Sequence, residues 1–156
     1  METINVNMKV HDSEFMRMDY YPKEKYMETT WQPGTKYMGA EQYKKEFVTH
    51  ISLLAKYKIS LSLVNEQLLN FTVGPEIQQW IEEEIIPKSP ISIQKVAVVL
   101  SHDFIQQLAV ELQLSSTSCD DFEFLFFETK EAAKLWLLKS KVEDHAYSLM
   151  SKRVNT

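Results

Sequence analysis

The fold class of this chain is set by the stretch Phe122-Glu-Phe-Leu-Phe-Phe-Glu-Thr129, which runs directly into Lys130-Glu-Ala-Ala-Lys-Leu-Trp-Leu-Leu138. The first part is aromatic and apolar, which predicts a buried strand over residues 122–127. Thr129 is a favourable N-cap for the helix that follows. That helix would pack against the sheet through its small and apolar residues, Ala132, Ala133, Trp136 and Leu137. A strand followed at once by such a helix predicts an α/β layer.

The residues before this stretch predict a hairpin and a first helix. Glu14–Tyr21 and Lys25–Trp31 alternate as strands do, and the short link between them favours an antiparallel hairpin. Pro33-Gly34 is typical of the centre of a type II turn, in which Gly takes the positive φ. Ala40–Lys56 is predicted to be a helix, because apolar residues recur there at steps of three and four.

Strands and helices alternate in the rest of the chain. Ile59–Val64 and Ile93–Leu100 are predicted strands. A helix should begin at Gly74-Pro75 and end before Pro87. A further helix is predicted from Asp103 to about Gln113, followed by a polar loop over Ser115–Asp121. The hairpin followed by β-α units predicts an α/β domain in which helices pack on a mixed sheet of about five strands.

The pattern divides the chain into three parts. Residues 1–13 are polar and aperiodic and predict a flexible N-terminus, and residues 14–140 hold the domain. The helical pattern continues past the domain to about Met150, so residues 141–156 are predicted to extend the last helix. Leu135, Leu138, Val142 and Leu149 lie on one side of this helical pattern and form an apolar stripe that continues beyond the sheet.

Three local matches give this chain a resemblance to a known family. They are the segment Phe126–Leu137 with its Ala-x-x-Trp-Leu helix, the early hairpin with Trp31 before a helix, and the strand that begins at Lys95-Val-Ala-Val-Val. Together they cover most of residues 14–140. The pattern resembles the SpoIIAA-like group of the STAS superfold, the fold of bacterial anti-sigma-factor antagonists. The resemblance implies a bacterial regulatory protein that binds other proteins.

In that family a phosphorylated Ser follows an Asp at the start of the helix after the third strand. The corresponding region here is Asn70–Glu76, which lacks the Asp-Ser pair and has Thr72 as its hydroxyl. The resemblance therefore implies a phosphorylation switch at Thr72. A phosphate there would face a helix N-terminus, which favours negative charge. The alternative is that Thr72 only caps or borders this helix.

Composition narrows the classes of function. The net charge is −5, which disfavours binding to nucleic acid or to anionic membranes. The three glycines lie too far apart for a phosphate-binding loop. One cysteine excludes an internal disulfide and a cysteine-rich metal site. The sequence contains neither a signal peptide nor the roughly 20 apolar residues of a membrane span, so a cytoplasmic protein is expected.

The groups that could carry chemistry have simpler explanations. The four histidines show no metal-ligand spacing, so no metal is expected. Ser101-His102-Asp103 has the residue types of a triad, but adjacent residues point in different directions and capping explains them better. Glu82–Glu84 is interpreted as a solvated helix face. Cys119 stands beside acids that would raise its pKa. The sequence therefore predicts no enzyme and no cofactor.

The leading hypothesis is a non-enzymatic interaction module of STAS-like fold that binds another protein or itself, as a dimer. Aromatic residues of the N-terminal part, Tyr20, Tyr26, Trp31 and Tyr37, are candidate interface residues, together with Leu138, Val142 and Leu149. The alternative for the aromatics is core packing. The rival hypothesis is a protein that binds a small molecule or lipid in an apolar cavity lined by Phe122, Phe124, Phe126 and Phe127.

Overall fold

In the computed structural model of the protein, which describes residues 7–101 and 122–139, one mixed sheet carries the whole architecture. Six strands lie side by side in the order in which they occur in the chain. They are β1 (Met8–Asp12), β2 (Met16–Tyr21), β3 (Tyr26–Trp31), β4 (Leu61–Asn65), β5 (Lys95–Val99) and β6 (Glu123–Phe127). The predicted α/β class is therefore confirmed, with six strands in place of about five.

The pairing changes direction at β3. The three N-terminal strands pair antiparallel, and β3 to β6 pair parallel, each with the next strand along the chain. The β2–β3 hairpin was expected from the turn between its strands, where Lys25 takes a positive φ of 54° and donates its N–H to the carbonyl of Pro22. Parallel neighbours need crossover connections, which explains the helical segments between the later strands.

Residues 8–12, which lie in the segment that the sequence predicts to be flexible, form the edge strand β1. They pair with β2, with a bulge between Lys9 and His11. The strand is polar because most of its side chains are exposed or half-buried. An edge strand needs little apolar alternation, so its sequence resembles that of a frayed terminus.

The helical segments follow the apolar periodicity. Helix α1 spans Ala40–Lys56, as predicted. Helix α2 spans Pro75–Trp80 and continues as one π-type turn over Ile81–Ile85. Helix α3 spans Lys130–Leu138. The predicted helix from Asp103 to about Gln113 and the predicted loop over Ser115–Asp121 lie outside the described residues. No helix in the described ranges is long and apolar enough to cross a membrane.

Helix α3 ends earlier than the sequence predicts. Its C-cap residue Lys139 has an extended backbone, with φ −78° and ψ 160°. The prediction that α3 continues without a break to about Met150 is therefore wrong at Lys139. Leu137 is buried and Leu138 is 43% exposed, so the sheet contact that stabilises α3 ends at this point. The extension over residues 141–156, with Val142 and Leu149, lies outside the described residues.

The sheet has an apolar core on each face. On one face, called here the α1 face, helices α1 and α2 cover alternate strand residues, among them Met18, Tyr20, Met27, Trp31, Val64 and Val98. On the opposite face, called the α3 face, Ala133, Trp136 and Leu137 of α3 pack on Tyr26, Leu63, Ala97, Val99 and Phe127. Both faces of the inner parallel strands are therefore covered, as is usual for such sheets, whereas the edge strand β6 is buried only at Phe127.

Pro33-Gly34 does not form the predicted type II turn. Pro33–Tyr37 is a short 3₁₀ helix with Pro at its start, and no glycine in the described residues has a positive φ. Gly34 is required for a different reason: a Cβ at this position would lie 2.4 Å from the carbonyl oxygen of Glu14. The glycine therefore permits close backbone contact between the start of the hairpin and the 3₁₀ helix, where Thr35 is fully buried.

We predict that Gly34→Ala destabilises the protein by about 1–3 kcal/mol, because the new methyl group forces two backbone segments apart. Urea unfolding followed by circular dichroism measures this change. The matched control is Gly74→Ala, since a Cβ at Gly74 meets nothing within 4 Å. A free energy of unfolding equal to that of the control would contradict the prediction.

Candidate functional site

The described helix α3 is built to lie on the sheet. Thr129 is its N-cap, and its hydroxyl oxygen accepts the N–H of Ala132 at 3.1 Å. The inward side chains Ala133, Trp136 and Leu137 are buried. The indole of Trp136 lies 5.7 Å from the ring of Phe127, centre to centre. The capping and packing that the sequence predicts at this end of the chain are confirmed.

A buried carboxylate on β3 fixes the position of α3 across the sheet. Glu28 is 4% exposed and faces α3. It forms an ion pair with Lys130, lies 3.9 Å from the ammonium of Lys134 and accepts the hydroxyl proton of Tyr26 at 2.9 Å. Burial, and next the charge of Glu28, raise the pKa of Tyr26, so this hydroxyl stays a donor. Two lysines one turn apart are thereby directed toward β3.

The side of α3 that is turned away from the sheet, called here the outer face, consists of Glu131, Leu135 and Leu138. Leu135 is 56% exposed and Leu138 is 43% exposed. Glu131 is exposed as well. Two leucines at i and i+3 lie on neighbouring turns of one helix face, so they form a single apolar patch. The patch is surface that the contact between α3 and the sheet leaves uncovered.

The structure separates the candidate interface residues into three groups. Tyr20, Tyr26 and Trp31 are 8%, 2% and 2% exposed, so they belong to the core and do not present a contact surface. Tyr37 and Leu138 are both exposed. They lie on different elements, because Tyr37 ends the 3₁₀ helix and Leu138 ends α3. The third group, Val142 and Leu149, lies outside the described residues. The interface hypothesis for these three hairpin residues rested on aromatic content alone, and they are core residues.

Thr72 lies in the segment between β4 and α2 and is exposed. Gly74, and not Thr72, occupies the N-cap position of α2, and no side-chain hydrogen bond caps that helix. Thr72 therefore borders the helix, two residues before its N-cap, and does not cap it. A phosphorylation switch at Thr72 stays a prediction.

The candidate cavity lining is divided between the two faces of the sheet. Phe122, Phe124 and Phe126 form a ladder of contacting rings, and Phe122 and Phe126 pack on the core of the α1 face. Phe127 points to the other face, where it meets Trp136. The four rings cannot line one cavity, because neighbouring residues of a strand point in opposite directions.

The remaining constellations are structural in the described ranges. The carboxylates of Glu82–Glu84 are exposed and accept hydrogen bonds from Gln78, Gln79 and Lys88 along the helix. Ser101 is described, whereas His102 and Asp103 lie outside, as does Cys119. No group of acidic, histidine or cysteine side chains in the described ranges is arranged to hold a metal ion.

The sequence does not predict the shifted pKa values of two titratable groups, His50 and Glu66. His50 is 7% exposed on α1, and its Nε2 has no hydrogen-bond partner in the described part of the chain. Burial lowers the pKa of His50 to about 4, so it is neutral at pH 7. Glu66 follows β4 directly, and burial raises its pKa to about 7. A signal for His50 was available, since it lies next to Ile51 in the apolar stripe of α1.

Comparison of the chain with models of protein families, with curated proteins and with solved structures gave no match.

We predict that Glu28→Gln destabilises the protein by about 1–3 kcal/mol, because it removes the charge that compensates two lysine ammonium groups. Thermal and urea unfolding measure the change. The matched control is Glu131→Gln, which alters an exposed carboxylate on α3. It should change stability by less than about 0.5 kcal/mol. Equal effects of the two variants would show that Glu28 does not hold α3.

Glu66 generates a prediction about pH. Its pKa is about 7 in the folded protein and near 4.5 in the unfolded chain, so the folded state binds the extra proton between these values. Stability contributed by this proton is complete below about pH 4.5 and is lost as pH rises through 7. Relative to Glu66→Gln, the wild type should lose on the order of 2 kcal/mol between about pH 5 and pH 8.

Urea unfolding at several pH values measures this difference. Glu76→Gln is the control, because Glu76 is exposed in the first turn of α2. Parallel pH profiles of wild type and Glu66→Gln would contradict the assignment.

Proposed function

We propose that the protein is a non-enzymatic interaction module of STAS-like fold, and that it binds another protein through the outer face of α3. The observation that carries this proposal is the exposed pair Leu135 and Leu138 on a helix whose other faces are occupied. The partner is a second protein or a second copy of the chain. A regulatory role in the bacterial cytoplasm, with Thr72 as its switch, belongs to the same proposal.

The division of labour around α3 supports a binding role for its outer face. The inner face is committed to the sheet through Ala133, Trp136 and Leu137. The side toward β3 is committed to Glu28 through Lys130 and Lys134. The leucines contribute to neither contact, and their exposure favours coverage by an apolar surface.

The order of the elements supports the STAS-like assignment. The antiparallel strands β1 to β3 come first, and the three strands that follow, β4 to β6, add to β3 in parallel and in chain order in the described sheet. A helix packs back on the sheet directly after the last strand. This is the arrangement that the resemblance of residues 14–140 implies. Fold alone does not determine function, so the surface of α3 carries the functional part of the proposal.

A small apolar ligand is the second candidate. The observation in its favour is the Phe122, Phe124 and Phe126 ladder, in which Phe124 is 41% exposed. Native mass spectrometry of freshly purified protein separates the two functions. A retained mass on the wild type that is absent from Phe124→Lys supports the ligand, and an empty protein supports the interaction module.

We predict that a photo-reactive benzoyl-phenylalanine at position 135 forms covalent adducts with a partner in host cells. The same side chain at position 45 is the control, because Lys45 is exposed on α1, which covers the opposite face of the sheet. Denaturing gels and mass spectrometry identify the adducts. Adding Leu138→Glu should reduce the adduct at position 135 by at least about tenfold, since a buried charge opposes an apolar contact.

An adduct of doubled mass identifies a second copy as the partner, and any other specific adduct identifies a different protein. Adduct formation at position 135 that does not exceed the control at position 45 would contradict the proposal.

A further inference from the structure

The two edges of the described sheet differ in their protection against pairing with another strand. At the first edge, β1 has a bulge between Lys9 and His11, and it carries the charged pair Lys9 and Asp12. Bulges and charges are the common devices that prevent strands from joining at an edge. At the other edge, β6 has the sequence Glu-Phe-Leu-Phe-Phe and pairs without irregularity with β5. The β6 edge has neither a bulge nor a charge between Phe124 and Phe127.

The backbone of β6 offers a set of hydrogen-bonding groups at this edge. In a parallel pair, alternate residues of a strand direct both backbone groups to the same neighbour. The N–H of Glu123 bonds to Gln94 and the carbonyl of Phe127 accepts from Leu100, so residues 123, 125 and 127 face β5. Phe124 and Phe126 therefore direct their N–H and carbonyl groups outward, where no strand lies in the described part of the chain.

The side chains of the same two residues are apolar and partly uncovered. Phe124 is 41% exposed, and its ring meets that of Phe126 edge to face at 5.0 Å. Both rings lie on the α1 face, as the register with Val96 and Val98 shows. One segment thus presents aromatic surface together with backbone groups that no strand of the described ranges pairs with, and a strand is the partner that satisfies both.

We propose that β6 pairs antiparallel with β6 of a second copy of this chain, centred on Leu125, so that the two sheets become continuous. This self-association goes beyond the proposed function and does not depend on it. The contact lies at the sheet edge and is distinct from the outer face of α3.

The register follows from the outward residues. When the pair is centred on Leu125, Phe124 of each copy lies opposite Phe126 of the other. Each of these two residue pairs exchanges two backbone hydrogen bonds and brings two aromatic rings together, which gives four hydrogen bonds and two cross-strand aromatic pairs. A centre at Phe126 would place Phe124 opposite Glu128, and a centre at Phe124 would leave Phe126 opposite a residue outside the strand. With Leu125 at the centre, Glu123 meets Phe127, so no carboxylates oppose each other.

Three lysine variants with matched exposure test the proposal. Phe124, Val48 and Leu138 are 41%, 42% and 43% exposed and lie on β6, α1 and α3. Sedimentation equilibrium of the full chain should show a dimer for the wild type. Phe124→Lys should weaken it by at least about tenfold, because two charges enter the strand junction. Val48→Lys should leave the dissociation constant unchanged. Leu138→Lys separates the two surfaces, because it would weaken only a dimer that forms through α3. Circular dichroism should show that all three variants fold.

Disulfide formation between the two copies is an independent test of the register. In the proposed pair, the two Leu125 residues lie opposite each other with Cα atoms about 4.5 Å apart. Leu125→Cys in a Cys119→Ser background should therefore form an intermolecular disulfide under mild oxidation. Glu123→Cys in the same background is the control, because its sulfurs would be separated by four residues, about 13 Å.

A monomeric wild type at high concentration would overturn the proposal and leave the α3 surface untouched. A dimer that Leu138→Lys breaks and Phe124→Lys does not would also overturn it, and would assign self-association to α3. Disulfide formation by Glu123→Cys equal to that by Leu125→Cys would reject the register.

Discussion

The parallel strands β3, β4 and β5 need cover on both faces, and the rest of the structure depends on this constraint. Their side chains alternate between two cores, with Val64 and Val98 on the α1 face and Leu63, Ala97 and Val99 on the α3 face. On the α1 face, α1 and α2 share the task. On the α3 face, one helix of nine residues does so in the described part of the chain. Its inner side is therefore fully committed to packing, and Glu28 holds it in place.

Periodicity predicted the elements that depend on their own sequence. The bounds of α1, the hairpin and the Thr129 cap follow from apolar spacing and local hydrogen bonds, so they were accessible before the structure. The sequence did not predict the features that depend on tertiary contact. Gly34 is set by the carbonyl of Glu14, which lies twenty residues earlier in the chain. Strand β1 pairs at an edge, where little apolar alternation is needed.

The same distinction applies to the candidate site. Tyr20, Tyr26 and Trp31 are equally suited to a core and to an interface, and only their burial decides between these roles. Glu28 has no local signal, because its partners Lys130 and Lys134 lie about a hundred residues later; only their spacing of four residues marks them as one face of a helix. Leu138 is 43% exposed because it follows Leu137, the last residue of α3 that packs in the core, and its role as an interface residue stays a prediction.

The two surfaces have a joint consequence for geometry. Pairing of β6 with a second β6 places a two-fold axis perpendicular to the sheet, and such an axis keeps each face of one sheet on the same side as the corresponding face of the other. Both copies of α3 then lie on one side of the continuous sheet, with Leu135 and Leu138 of each copy turned away from it. A dimer formed at the edge would thus present the outer face of α3 twice, toward the same direction. A partner with two matching sites would bind such a dimer more tightly than it binds one copy, because the second contact is intramolecular.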